Sequence, residues 1–169
     1  MKRTVLTFGL ISGLVSAGLM FLTARLLESI GYEKGEILGY TGIVMAGLIV
    51  FFGIRSYRNG AGGGRLTFGR GLAIGVLITL ISSVFYVATF QLLYFKLMPG
   101  YGDKMVAFMV ERARSSGASP QKIEETARQG QMFKRLWDRP LTNAALTFIE
   151  PFPIGVVIAA VSAAILRRR

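Results

Sequence analysis

Residues 51–71 read FFGIRSYRNGAGGGRLTFGRG. An apolar run breaks into arginines, then glycines, then turns apolar again. Two readings compete: a glycine-rich loop that cradles phosphate, or a short basic connection between two apolar helices. A Walker-type loop needs Gly, four residues, then Gly-Lys-Ser/Thr, because backbone amides and a lysine must converge on the phosphates. Counting from Gly60 puts Arg65 where the second glycine belongs, and no Lys-Ser/Thr pair follows. Gly-x-Gly-x-x-Gly fails as well, since its third position falls on Arg65 or on Ile74. The glycines are therefore expected to form a flexible turn, with Arg55, Arg58 and Arg65 meeting anionic phospholipid headgroups.

Four apolar blocks surround this connection: residues 5–27, 37–54, 71–95 and 144–166. A bilayer core takes about 20 helical residues to cross, and backbone groups in lipid must bond within their own segment. The expected fold is all-α: one membrane domain built as a four-transmembrane-helix bundle. The start, MKRTVLTFGLISGLVSAGLMF, has a basic opening and a passable cleavage pattern at Val15-Ser16-Ala17. The apolar run continues to Leu27, so the segment reads as a retained helix rather than a removed signal.

The 169 residues carry a formal net charge of +11. In a soluble protein this would point to nucleic acid. Here many basic residues flank apolar blocks, no strand interleaves aromatic with basic residues, and nucleic acid is not an expected partner. There is no cysteine and no histidine, which removes disulfides, thiol chemistry, imidazole bases and Cys/His metal sites. No cofactor is expected.

Lys2 and Arg3, then Arg55, Arg58, Arg65 and Arg70, then Arg167, Arg168 and Arg169 include no acid among them. Four crossings put all of them on one side, which the positive-inside rule makes cytoplasmic. By raw count the other side holds more basic residues, but these are spread over a longer segment and mixed with acids. The expectation is a bacterial inner-membrane protein with both termini cytoplasmic. Tyr32, Tyr40, Tyr94, Tyr101 and Trp137 read as an interfacial belt at the opposite face.

Residues 96–143 form a connection long enough to need structure of its own. Met105, Met109 and Ala113 recur at helical spacing over 103–114. Ser115-Ser116-Gly117-Ala118 breaks the pattern. Ser119-Pro120 then reads as N-cap and first position of a second helix over 121–135. Gly130 weakens its middle, while Met132, Phe133, Leu136 and Trp137 offer an apolar face to the bundle or to headgroups. An outer, periplasmic helical hairpin between the third and fourth membrane helices is expected.

Small residues recur four apart at Gly9, Gly13 and Ala17, at Gly71 and Gly75, and at Gly155, Ala159 and Ala163. Such faces let membrane helices approach closely, here within one bundle. Polar residues in the apolar blocks are the candidate site. Glu150, Gln91 and Arg25 all fall near the outer ends of their helices. A charge at the bilayer centre costs roughly 2.5–3.5 kcal/mol, so a partner is expected, and Glu150 is assigned to Arg25 with Gln91 nearby. Pro151 and Pro153 remove two backbone donors, so the fourth helix should kink or restart there. A broken helix beside an acid is what small transporters use, and also what an interfacial glutamate at a helix restart looks like.

The order of features resembles a bacterial membrane family, domain of unknown function 4199. FFGIRSYRN, GGRLTFGRGLAIGVLITLISSVFYV, SPQKIEE in the outer segment, and EPFPIGVVIAAVSAAILRR carry the resemblance over nearly the whole chain. It implies four helices with a soluble insert before the last, and brings no activity or catalytic residue. The function expected is that of a non-enzymatic structural or accessory protein. It would bind anionic lipids at the cytoplasmic face and a protein partner or a second copy. The alternatives are a small transporter or channel centred on Glu150 and, less favoured, an enzyme acting on lipid or envelope substrates.

Overall fold

A single glycine joins the first two helices. α1 spans Lys2–Ile30 and α2 spans Tyr32–Asn59, with Gly31 alone between them at φ 79°. Its N–H closes on the Leu27 carbonyl, and its own carbonyl accepts from Gly35. Only glycine takes that left-handed φ without a Cβ penalty. Both helices run past their apolar blocks, because polar helix formers continue the backbone ladder beyond the bilayer-length core. The computed structural model describes residues 1–168; Arg169 and the side chain of Glu28 lie outside the described residues.

The remaining helices are α3 (Phe68–Leu92), running into a π-helical turn at Leu93–Leu97, then α4 (Tyr101–Ser115), α5 (Pro120–Trp137), α6 (Pro140–Ile149) and α7 (Pro151–Leu166). The protein is all-α, 87% helical. Among the described residues, four helical stretches are long and apolar enough to cross a membrane: Lys2–Leu27, Tyr32–Asn59, Phe68–Leu97 and Pro140–Leu166. The chain divides into two compact units. One comprises Met1–Thr89 with the segment from Thr147 onward, and the other is Phe90–Leu146.

Within the first unit, side-chain registers fix the helix directions. Gly42 lies against Leu19 and Gly53 against Phe8, so α1 and α2 are antiparallel. Gly71 meets Ala163, Gly75 meets Ala159 and Gly155 meets Thr79, so α3 and α7 are antiparallel too. Gly9 faces Ile81 and Gly13 faces Phe85, so α1 and α3 run the same way. The small-residue faces seen in the sequence are thus helix–helix contacts of close approach. Met1, the connection after α2 and the end of α7 all come to one end, over a core that includes Val5, Val50, Ile54, Tyr57, Leu66 and Leu166. The outward surface is apolar on every helix of the unit, with Leu14, Val44, Val84 and Val157 exposed. That is the surface lipid tails would cover.

The glycine stretch is not the loose turn expected. Gly60, Gly62 and Gly64 donate their N–H groups to the carbonyls of Ser56, Tyr57 and Arg58. These are the carbonyls that a helix C-terminus leaves without partners. Gly63 and Gly64, at φ 57° and 81°, make the reversal that brings the amides round. The amides therefore point back at α2 and are already engaged. Leu66 follows, buried, and pairs with Arg168 in both directions: each N–H donates to the other's carbonyl at 2.9 Å.

In the second unit α4 and α5 pack as a pair. Ser119 caps α5 by accepting from the Lys122 N–H, with Pro120 in the first turn. Gly130, read from sequence as a weakness, sits against Val106, where an added Cβ would stand 3.0 Å from Val106 Cγ1. The expected tyrosine belt is corrected in part. Tyr40 is exposed, but Tyr94 is only 8% exposed and packs with Phe90, Tyr101 and Trp137. The cluster mixes tilted pairs with edge-to-face ones, such as Phe90 and Trp137 at 5.2 Å and 75°. Aromatic composition alone does not tell a belt from a packed core.

Candidate functional site

Pro151 and Pro153 lack the N–H groups that would bond Thr147 and Ile149, four residues back. The helix accordingly stops at Ile149 and restarts at Pro151, with Glu150 alone between α6 and α7. The break leaves the Glu150 side chain at the surface of the first unit, where Oε2 accepts from the Tyr86 hydroxyl at 3.1 Å. Tyr86 is on α3, which runs antiparallel to α7, and the register that sets Thr79 against Gly155 brings Tyr86 to the break. Among the described residues no ion pair joins Glu150 to Arg25. Arg25 is exposed on α1, and the Tyr86 phenol is the carboxylate's partner. Gln91 belongs to the second unit, where its Nε2 donates to the Pro140 carbonyl at 2.8 Å.

At the other end of the first unit the Leu66–Arg168 pairing ties the α2–α3 connection to the residues after α7. Arg55 and Arg65 are exposed; Arg58 is half-buried, with its Nε donating to Asn59 Oδ1 at 3.0 Å. Arg70, Arg167 and Arg168 are exposed too, as are Lys2 and Arg3. None of these segments contains an acid. Their charges face solvent, where anionic groups can reach them.

A third group was not anticipated. Ser12 and Ser16 of α1 and Thr79, Ser82 and Ser83 of α3 are buried within the first unit. The Ser12 hydroxyl lies 3.2 Å from the Ala46 carbonyl and 3.0 Å from Ser82 Oγ. Their signal was present as hydroxyls three and four apart on otherwise apolar helices. A hydroxyl on an apolar helix carries no charge to mark it, so neither helix alone singles it out.

The second unit has its own polar network. Tyr94 donates to Asp138 Oδ1 at 2.8 Å, and Lys134 Nζ donates to Asp138 Oδ2 at 3.0 Å. Lys134 also stands 3.5 Å from Asp103, joining α5 to α4. Burial pushes the Asp138 carboxyl up, but the hydrogen bonds from Lys134 and Tyr94 outweigh it and hold it below the usual range. The hydrogen bond to Asp138 likewise raises Lys134, against a smaller effect of desolvation. Of these contacts only Lys134–Asp138, four apart on a helix, is visible in sequence. Among the described residues no three acidic side chains converge to hold a metal ion.

This arrangement defines an all-α membrane protein whose polar groups sit at helix ends and inside the bundle. The chain belongs to the family described as protein of unknown function (DUF4199), whose family model matches residues 7–168. No match was found among curated proteins or among solved structures.

Proposed function

We propose that the protein is a non-enzymatic, multi-pass component of the bacterial inner membrane. Its arginine-rich end is the cytoplasmic face and binds anionic lipid headgroups. On this reading it serves as a structural or accessory protein, holding a protein partner or a second copy within its lipid surroundings. One observation carries the reading: the Leu66–Arg168 pairing draws separate arginine-bearing segments to one end with no acid among them. Juxtamembrane basic residues gain about 1 kcal/mol each from an anionic surface, and the same charges favour retention in the cytoplasm.

The test is thermal unfolding in nanodiscs of zwitterionic lipid against nanodiscs containing phosphatidylglycerol. Anionic lipid should raise Tm, the rise should shrink with salt, and Arg55→Gln/Arg58→Gln/Arg65→Gln should remove about a third of it, as three of the nine basic residues at that end. Equal Tm in both lipids would overturn the reading.

A second reading is a small transporter centred on Glu150, favoured by the Tyr86–Glu150 hydrogen bond at a broken helix. Flux in proteoliposomes that is unchanged by Glu150→Gln would remove it.

A further inference from the structure

Lipid offers no partner to a hydroxyl, so hydroxyls buried in a membrane bundle must be satisfied inside it. In the first unit they converge at one level. Ser12, Ser16, Thr79, Ser82, Ser83 and Tyr86 line a cavity of about 20 Å³, with small and apolar residues of α2 and α7 on its other walls. The missing side chain at Gly155 makes part of this room, for an added Cβ there would stand 2.9 Å from Thr79 Oγ1.

Among these hydroxyls, the Thr79 oxygen is the one that is both fully enclosed and without a partner. Thr79 is 4% exposed, and its Oγ1 has no hydrogen-bond partner among the described residues. An unmade hydroxyl bond at that depth is destabilising. The cavity exceeds the volume one water needs, and its polar lining can hold one. A bare cation fits less well, because the lining is neutral and would leave the charge uncompensated. Towards the arginine end the next layer is dry, with Ile54, Ile74 and Ile78 at 0% exposure. Towards the opposite end the lining finishes at Tyr86 and Pro151, beside Glu150.

We propose that the cavity holds an ordered water bound by Thr79 Oγ1. That water is the inner terminus of a half-channel hydrated from the Tyr86–Glu150 end and sealed by the isoleucine layer. The inference does not depend on headgroup binding at the other face. A one-sided polar entrance is what a proton or small polar solute would use, and the isoleucines are what would have to part for it to go further.

Two measurements test it. Thr79→Val keeps the shape and removes the hydroxyl. If the site is dry, the change deletes an unpaired group and Tm stays level or rises, which would overturn the proposal. If water is bound there, Tm falls, and Thr79→Ser recovers most of the loss. The parent chain has no cysteine, so single Thr79→Cys, Ser83→Cys and Ile74→Cys variants report access to silver ion, which is small and thiol-specific. In proteoliposomes the thiols at positions 79 and 83 should be blocked from one side only, and that at position 74 from neither. Should Thr79→Cys fail to fold, position 83 carries the comparison. Protection of both hydroxyl-layer positions from both sides, or equal reaction at position 74, would overturn the half-channel.

Discussion

Gly75 of α3 faces Ala159 of α7 so closely that a Cβ on the glycine would stand 2.5 Å from the alanine Cβ, and 3.0 Å from Ile54 Cδ1. The neighbouring turns repeat the contact at Gly71–Ala163, so the whole α3–α7 seam is set by absent side chains.

Filling that seam should separate the helices. Gly75→Val is expected to destabilise the protein by about 1–3 kcal/mol through overpacking. A change at exposed Gly69, where an added Cβ meets nothing within 4 Å, should have little effect. Reversible unfolding in mixed micelles compares the two.

The Tyr86–Glu150 bond gives a coupling rather than a sum. Interhelical hydrogen bonds in membranes contribute about 0.6–1.7 kcal/mol. A double-mutant cycle with Tyr86→Phe and Glu150→Gln should return a coupling in that range. Pairing Arg25→Ala with Glu150→Gln should return additive effects. A large Arg25–Glu150 coupling would restore the ion pair that the sequence suggested.

Asp138 and Lys134 make the second unit sensitive to pH at both extremes. The folded Asp138 carboxyl is depressed, so its contribution is present above its unfolded pKa and is lost as pH falls through the lower folded value. Lys134 is raised, so its contribution is present below its unfolded pKa and is lost as pH rises through the higher folded value. Stability should thus be flat between the ordinary carboxylate and lysine ranges and decline outside them. Asp138→Asn should flatten the acid limb. An unchanged acid limb, followed by circular dichroism, would mean the network adds nothing there.

Membrane sidedness can be read with paired thiols. An added side chain at Gly62 would meet the Arg65 carbonyl at 2.7 Å, and Gly117 holds φ 74°. The exposed neighbours Ala61 and Ser116 are the better sites. Ala61→Cys and Ser116→Cys should label from opposite faces of sealed vesicles, and labelling from one face would overturn the four-crossing arrangement.

The bundle was legible because lipid leaves the backbone so few choices. Length of apolar block marked the helices, and small residues four apart marked real seams. Ser119-Pro120 gave the start of α5, since a cap is a local device. What escaped was what depends on which faces meet. Glu150 took Tyr86 because the α3–α7 register brings that phenol to the proline break, and register is not written in either helix alone. The glycines after Asn59 looked slack because their composition hides their bonds to the end of α2. The hydroxyl layer passed as neutral filling because serine and threonine on an apolar helix raise no alarm until they are seen to share a cavity.

The joint at Gly31 has a consequence for how the chain enters a bilayer. One residue leaves little slack to hold one helix across while the other waits, so α1 and α2 are expected to insert together as a hairpin. The charges that choose their direction then lie at the free ends of the pair, Lys2 and Arg3 on one arm and Arg55 and Arg58 on the other. Reversing those charges should turn both helices over or neither, which makes the pair a single vote on the orientation of everything synthesised after it.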